Sequence, residues 1–223
     1  MMLLALDTST SQIGLSLYNG NQVLAELTWT SQLRHTVELA PAIQELLGKT
    51  GIPISELKAL GVAIGPGSFT SLRVGLALAK GLALSRHIPL IGIPSLDVVA
   101  RSVPLQDLPL AACLQAGRGR LAVGWYHTTS TGWETRGNVE TMTADELAES
   151  IKSPTLVCGE LTEEDRQRLA RKYRNVKIPS PAQCLRRPGL LAEMAWERWQ
   201  AGDIPSAESL APIYLRVAGG PTP

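Results

Sequence analysis

The chain has 223 residues, with 21 Lys plus Arg against 20 Asp plus Glu and a formal net charge of +1. A surface that grips nucleic acid needs cations to displace phosphate counterions, so the lack of a basic excess argues against a free-standing nucleic-acid binder. Hydrophobic residues at 44% against charged residues at 18% exclude default disorder; the length fits one large domain or two small ones, and a single Phe leaves the core to Leu, Ala, Ile and Val.

In chain order, the continuous apolar run Leu3 to Leu6 predicts a buried strand. Ile13 to Tyr18 and Val23 to Trp29 alternate across the turn residues Asn19-Gly20-Asn21 and predict an antiparallel hairpin. A helix is expected from about Thr36 to Leu47, with Gly48 as its stop and Pro41 as a bend or false start. Leu60 to Ile64 predicts a buried strand, Gly65-Pro66-Gly67 a turn, Phe69 to Ser85 a long helix, and Leu90 to Ile93 another strand. A short helix follows Ser95, and the Pro-punctuated stretch up to Pro109 reads as a domain boundary.

The same grammar then repeats. Strands are expected at Leu110 to Leu114, Leu121 to Tyr126, Trp133 to Val139, Thr155 to Cys158 and near Val176, with helices opened by Thr143 and Thr162. Two such modules suggest an internal duplication of a mixed sheet flanked by helices, an α/β arrangement, divided as 1–104 and 105–216 with a mobile tail at 217–223. The last helix is expected over Leu190 to Gln200, before Pro212-Ile-Tyr-Leu-Arg216.

Cys113, Cys158 and Cys184 are odd in number, widely spaced and without CxxC, which fits a reduced cytoplasmic compartment and no metal site. The N-terminus reaches Asp7 too soon for a signal peptide or a membrane span. His35, His87 and His127 have no HExxH or HxxxH spacing, and there is no GxSxG elbow. His35, beside Arg34 at a helix start, reads from the pattern as a capping or surface residue. The basic run Arg166, Arg168, Arg171, Lys172, Arg174 follows Glu163, Glu164 and Asp165 on one helix, where its charges mainly complement the dipole.

Two segments have chemical potential. Gly65, Gly67, Ser68 and Thr70 lie where a buried strand turns into a helix, which suits either a phosphate-like anion or a plain connection; the run lacks both the third glycine of GxGxxG and the Gly-Lys-Ser/Thr of a P-loop. Asp7 and Thr8 sit in the turn Asp7-Thr-Ser-Thr10, where a carboxylate holds a metal-bound phosphate or merely caps its own backbone. The following helix has only Arg73 and Lys80 as charges between Phe69 and Ser85, so it lacks an ordinary solvent face. Either its own chain covers both sides or one side meets another subunit. The second reading is favoured because a module of about 100 residues with one sheet has little to cover it with, and Ser71, Gly75 and Ala79 form a strip that admits a close neighbour.

LLALDTST, RHT at 34 to 36, GVAIGPGSFTSLRVGLALAKGLAL and PIYLR together resemble the TsaB family, from Met2 to about Arg216. The resemblance implies two tandem RNase H-like modules of the actin, Hsp70 and sugar-kinase type with a decayed catalytic apparatus. It implies a non-catalytic, dimerising subunit that activates a homologous partner, TsaD, in threonylcarbamoylation of the tRNA adenosine beside the anticodon. An ATPase, TsaE, joins the pair, tRNA is engaged indirectly, and the family homodimerises when TsaD is absent. On this basis the partner interface falls on His35, Leu39, Ile43, Ser71, Leu72, Gly75, Leu76 and Ala79. No cofactor, metal or membrane is expected for this chain alone, and ATP is handled by the assembled complex. Members usually carry Asp-Ala-Arg-x-Gly-Glu after the first strand of the second module; here Gln115-Ala-Gly-Arg-Gly-Arg120 replaces it, which makes nucleotide binding there less favourable. The competing reading is a small-molecule kinase or ATPase of the same superfamily, resting on Asp7 and the turn at Gly65 to Thr70.

Overall fold

The computed structural model describes residues 1–32, 34–171, 174–204 and 206–215. Lys172, Arg216 and the expected tail at 217–223 lie outside the described residues. The chain divides into two units, Met1–Ser95 with Arg187–Ile213, and Leu96–Arg186 with residues 214 and 215.

In the first unit β1 (Met2–Asp7), β2 (Gln12–Tyr18), β3 (Val23–Thr30), β4 (Leu57–Ala63) and β5 (Leu90–Ile93) form one sheet in the order β3-β2-β1-β4-β5. The hairpin pairs antiparallel, with Leu3 opposite Tyr18 and Ile13 opposite Trp29, while β1–β4 and β4–β5 are parallel. Parallel neighbours need a crossover, and α2 (Phe69–Arg86) supplies it between β4 and β5. Leu3, Leu4, Ala5 and Leu6 are all fully buried, because β1 is central and both faces of the sheet are covered.

On one face Leu4, Leu6, Leu60 and Val62 share a core with Leu39 and Ile43 of α1 (His35–Thr50) and Leu76 and Ala79 of α2. Alternation sends Leu3, Ala5 and Gly61 to the other face, where α6 (Pro188–Gln200) lies. A Cβ on Gly61 would stand 2.7 Å from the Cβ of Ala195, and one on Gly14 3.1 Å from Pro188. These two glycines let α6 approach the sheet closely. Tyr18, on the same face, packs edge-on to Trp196, with ring centroids 5.7 Å apart.

Two helix details differ from expectation. α1 runs through Pro41 without breaking, since Pro41 and Val37 are both exposed and solvent satisfies the carbonyl that Pro41 leaves without a donor. It ends at Gly51, not Gly48, because Gly51 takes the left-handed conformation (φ 67°) and its N–H donates to Gly48 O at 3.3 Å. α2 starts at Phe69 as expected, with Ser68 Oγ accepting from Ser71 N.

In the second unit β6 (Leu110–Gln115), β7 (Leu121–Thr128), β8 (Trp133–Thr135), β9 (Glu140–Met142), β10 (Thr155–Gly159) and β11 (Val176–Lys177) form a mixed sheet in the order β11-β10-β6-β7-β8, with β9 also on β7. The strand expected over Trp133 to Val139 is shortened to Trp133–Thr135, ending before Gly137 turns to φ 80°, and β9 is a further strand beyond the expected range. α3 (Ser95–Arg101) packs Leu96, Val99 and Ala100 against Ala112 and Leu114, and Tyr126 Oη donates to Asp97 at 2.8 Å. α4 (Ala144–Ser150) and α5 (Glu163–Ala170) cover the opposite face through Leu147 and Leu169, each opened by a Thr capping box, at Thr143 and Thr162.

The boundary thus differs from the expected 104/105. The chain changes unit between Ser95 and Leu96, because α3 serves the second core, and residues from Arg187 return to the first unit, because α6 serves the first sheet. Near that return Arg186 Nη1 donates to Glu160 Oε1 at 2.5 Å, with the two side chains 1% and 18% exposed. Removing the carboxylate takes a charged partner from a guanidinium that is 1% exposed, so Glu160→Ala is expected to lose about 3 kcal/mol in urea unfolding.

Candidate functional site

The turn after β1 is buried along its length: Asp7 is 2% exposed, Thr8 1%, Ser9 0% and Thr10 3%. Asp7 Oδ1 accepts from Ser9 N at 2.9 Å, a local turn of the kind Asp makes with its own backbone. Ser68 N donates to Ser9 O at 2.6 Å, Gly65 N to Ser95 Oγ at 3.0 Å, and Ser95 N to Gly65 O at 2.8 Å. Ser9 Oγ and Ser95 Oγ are 2.5 Å apart, and Thr8 Oγ1 donates to Ser71 O at 2.8 Å. A Cβ on Gly67 would collide with the Ser9 carbonyl.

Asp7, Thr8, Gly65, Gly67 and Ser68 are therefore brought together, but as a self-satisfied junction. The N–H groups of Gly65 and Ser68, which an anion would need, point at Ser95 and Ser9. Thr70, the sixth anion candidate, stands apart on the exposed side of α2.

The eight expected interface residues all face inward. His35 is 4% exposed, Leu39 1%, Ile43 5%, Ser71 3%, Leu72 1%, Leu76 6% and Ala79 0%, and Gly75 is buried with them. The small strip meets the chain's own β1: a Cβ on Gly75 would overlap Thr8 Oγ1 and lie 3.0 Å from Thr8 Cγ2. His35 is a buried anchor rather than a surface residue, its Nε2 being 2.9 Å from Thr10 O.

What the chain leaves outside is the reverse side of the same two helices. Phe69 is 55% exposed, Leu84 62% and Val37 65%; Ala40, Ala77 and Gly81 are exposed, and Val74, Leu78 and Leu82 half-buried. Two adjoining grooves run between α1 and α2. One, of about 500 Å³, is lined by Thr36, Phe69, Arg73, Val74 and Ala77 among others. The other, of about 600 Å³, is lined by Gln44, Gly48, Ile52, Ile54 and Leu82. Arg73 folds over the Phe69 ring, 5.0 Å from its centroid. This face escaped the sequence reading because the Ser71, Gly75, Ala79 strip drew attention to the opposite side. Phe69, Arg73 and Ala77, at spacings of four, were the available signal.

In the second unit Gln115 Nε2 donates to Asp165 Oδ2 at 2.9 Å and to Glu160 O at 3.1 Å. The amide thus ties down the α5 cap where an Asp would repel it. Gly117, Arg118 and Gly119 all take positive φ, and Arg120 Nη2 reaches Thr141 O at 2.9 Å and Glu146 Oε2 at 3.3 Å. In the basic run Arg168 pairs with Asp145 and Glu164, and Arg166 Nη1 donates to Pro179 O at 2.9 Å. Among the described residues no cluster of His, Cys, Asp or Glu is fit to hold a metal, and no helix is long and apolar enough to cross a membrane.

The family model of TsaD, tRNA N6-adenosine threonylcarbamoyltransferase, matches residues 22–194. The tRNA threonylcarbamoyladenosine biosynthesis protein TsaB of Bacillus subtilis is 32% identical over 98% of this chain and 95% of its own length. The structure of YeaZ from Pseudomonas aeruginosa superimposes with a TM-score of 0.79 at 24% identity, covering 96% of this chain and 99% of that one. ROK hexokinase from Thermus thermophilus shares the fold more distantly, with a TM-score of 0.50 at 11% identity over 91% of this chain and 100% of its own. Together these show the duplicated fold of the actin, Hsp70 and sugar-kinase type.

The fit of Gly75 against Thr8 leaves no room for a methyl group. Gly75→Ala is expected to lose about 2–3 kcal/mol of stability in denaturant unfolding, and Gly75→Ala combined with Thr8→Ala to lose less than the sum of the two single changes.

Proposed function

The chain belongs to the TsaB family of tRNA threonylcarbamoyladenosine biosynthesis proteins, and we propose that in this pathway it is a non-catalytic subunit that heterodimerises with a TsaD-type transferase. The observation carrying this reading is the apolar outer face of α1 and α2, with Phe69, Leu84 and Val37 more than half exposed. The transferase model matches a stretch that includes both helices, so a homologous partner carries a corresponding pair. Two such pairs packed face to face bury the apolar surface that each leaves open. In the absence of the transferase a second copy of this chain offers the same complement.

The absence of catalysis by this chain alone rests on the junction after β1. Its acid, Asp7, is 2% exposed and engaged with its own turn, and the Gly65 and Ser68 N–H groups are spent. Phosphoryl transfer needs a charged group in reach of the phosphates and of the nucleophile, and an acid folded into its own turn supplies neither. ATP handling then falls to the assembled complex, with the ATPase TsaE as its further member, and the grip on tRNA falls to the partners. The balanced charge and the pairing of Arg168 with acids support that division.

Ala40 and Ala77 are exposed, so a charged side chain at either leaves folding untouched while placing an unpaired charge in the proposed contact. Ala40→Arg and Ala77→Arg are each expected to keep the wild-type unfolding midpoint and to weaken transferase binding by about 100-fold in calorimetric titration, roughly 2.7 kcal/mol. Wild-type affinity in both variants, or ATP turnover by the purified chain alone, would overturn the reading.

A further inference from the structure

A thiol pair lies in the second unit, away from the junction and the helix face. Cys158 is on β10, and Cys184 ends the short helical turn Pro181–Cys184. They share one apolar cluster, and each thiol donates to a backbone carbonyl in or just before that turn, Cys158 to Gln183 O and Cys184 to Pro179 O. Cys158 Sγ is 3.8 Å from Gln183 O, and Cys184 Sγ 3.7 Å from Pro179 O, so the turn folds directly over β10. Arg166 of α5 reaches the same spot: its Nη1 donates to Pro179 O at 2.9 Å, the carbonyl that the Cys184 thiol also meets.

The two thiols are not equivalent. The neighbouring Cys158 thiol, with help from the Gly159 backbone and the Arg166 charge, draws Cys184 down toward its thiolate. The Cys184 thiol beside it, together with burial, pushes Cys158 up. Cys113, the third sulfur nearby, is fully buried and is pushed up chiefly by burial. Cys184 is 5% exposed but lies between Gln183 and Leu185, both exposed on a surface turn, so a small local opening admits a small oxidant.

We propose that Cys184 and Cys158 are a peroxide-oxidisable dithiol, with Cys184 as the attacking sulfur, Cys158 as the resolving one and Arg166 as the residue that positions Cys184. The Cys184 thiolate attacks one oxygen of hydrogen peroxide, the O–O bond breaks, and hydroxide leaves and takes a proton to become water. The Cys158 sulfur then attacks the resulting sulfenic acid at sulfur. Its proton goes to the departing hydroxide, a second water leaves, and the S–S bond forms. Two thiols and one peroxide give one disulfide and two waters; the sulfurs lose two electrons and the peroxide gains them. The product ties β10 covalently to the turn that precedes Arg186.

Peptide mapping tests this on the intact folded protein, because trypsin separates Ser153–Arg166 from Ile178–Arg186 and places Cys113 in a third peptide. After hydrogen peroxide and alkylation, the expected product is a crosslink between the first two peptides. It is lighter by two hydrogens and lost on treatment with dithiothreitol, while Cys113 remains a free thiol. Cys158→Ser is expected to trap a dimedone adduct on Cys184, and Arg166→Ala to slow oxidation about tenfold where Arg166→Lys does not. Crosslinking only in urea, oxidation directed to Cys113, or a wild-type rate in Arg166→Ala would overturn the assignment.

Discussion

The packing of α2 against the end of β1, where Gly75 meets Thr8, sets the arrangement of the first unit. A helix that is apolar on every side has no intrinsic inner face, so the choice depends on which side comes closest to the sheet. Ser71, Gly75 and Ala79 are small enough to let the helix axis reach Thr8, and Thr8 Oγ1 fixes the contact by donating to Ser71 O. With that side turned in, the Gly65–Ser68 turn lies against Ser9, and its backbone donors are consumed there. The same choice leaves Phe69, Ala77 and Leu84 outside. The engagement of the turn's backbone donors and the apolar outer face are two results of one close contact.

A second constraint comes from the central position of β1 and β4. Their residues are apolar in both directions, so each face of the sheet needs its own cover. α1 and α2 supply one cover. The other is α6, drawn from far along the chain and seated through Gly14, Gly61, Pro188 and Ala195. In the second unit Gln115 replaces an acid with an amide that holds the cap of α5, and the arginines of α5 serve neighbouring acids and carbonyls. Gln115 and Arg168, which suggest chemistry in the sequence, are thus engaged in cohesion.

The strands of the first sheet, the hairpin, the start of α2 and the capping boxes at Thr143 and Thr162 were legible because each has a local cause: alternation, turn residues, or a hydroxyl three residues before the N–H that it accepts from. The buried side of α2 was not, since its periodicity marks both faces alike and only the partner surface of Thr8 breaks the tie. Gly48 could not be told from Gly51 as a stop, because the left-handed backbone that decides between them is absent from composition. The eight residues that the family resemblance names lie on the inner, buried side of α1 and α2. Nothing local to Leu190–Gln200 says that the helix serves the first sheet; the reason is a glycine-for-alanine fit between residues more than a hundred positions apart.

The return of α6 to the first sheet imposes an order on the birth of the molecule. Residues 1–95 leave the ribosome with one sheet face, that of Leu3, Ala5 and Gly61, lacking the helix that covers it. The intervening segment, 96–186, already contains every strand of its own sheet and can close first. Only when the residues after Arg187 emerge does the earlier unit gain its last layer, by a contact of very long sequence separation, the kind that slows folding most. The first unit is therefore complete only once the residues after Arg187 have emerged, and until then one apolar face of its sheet lacks its cover.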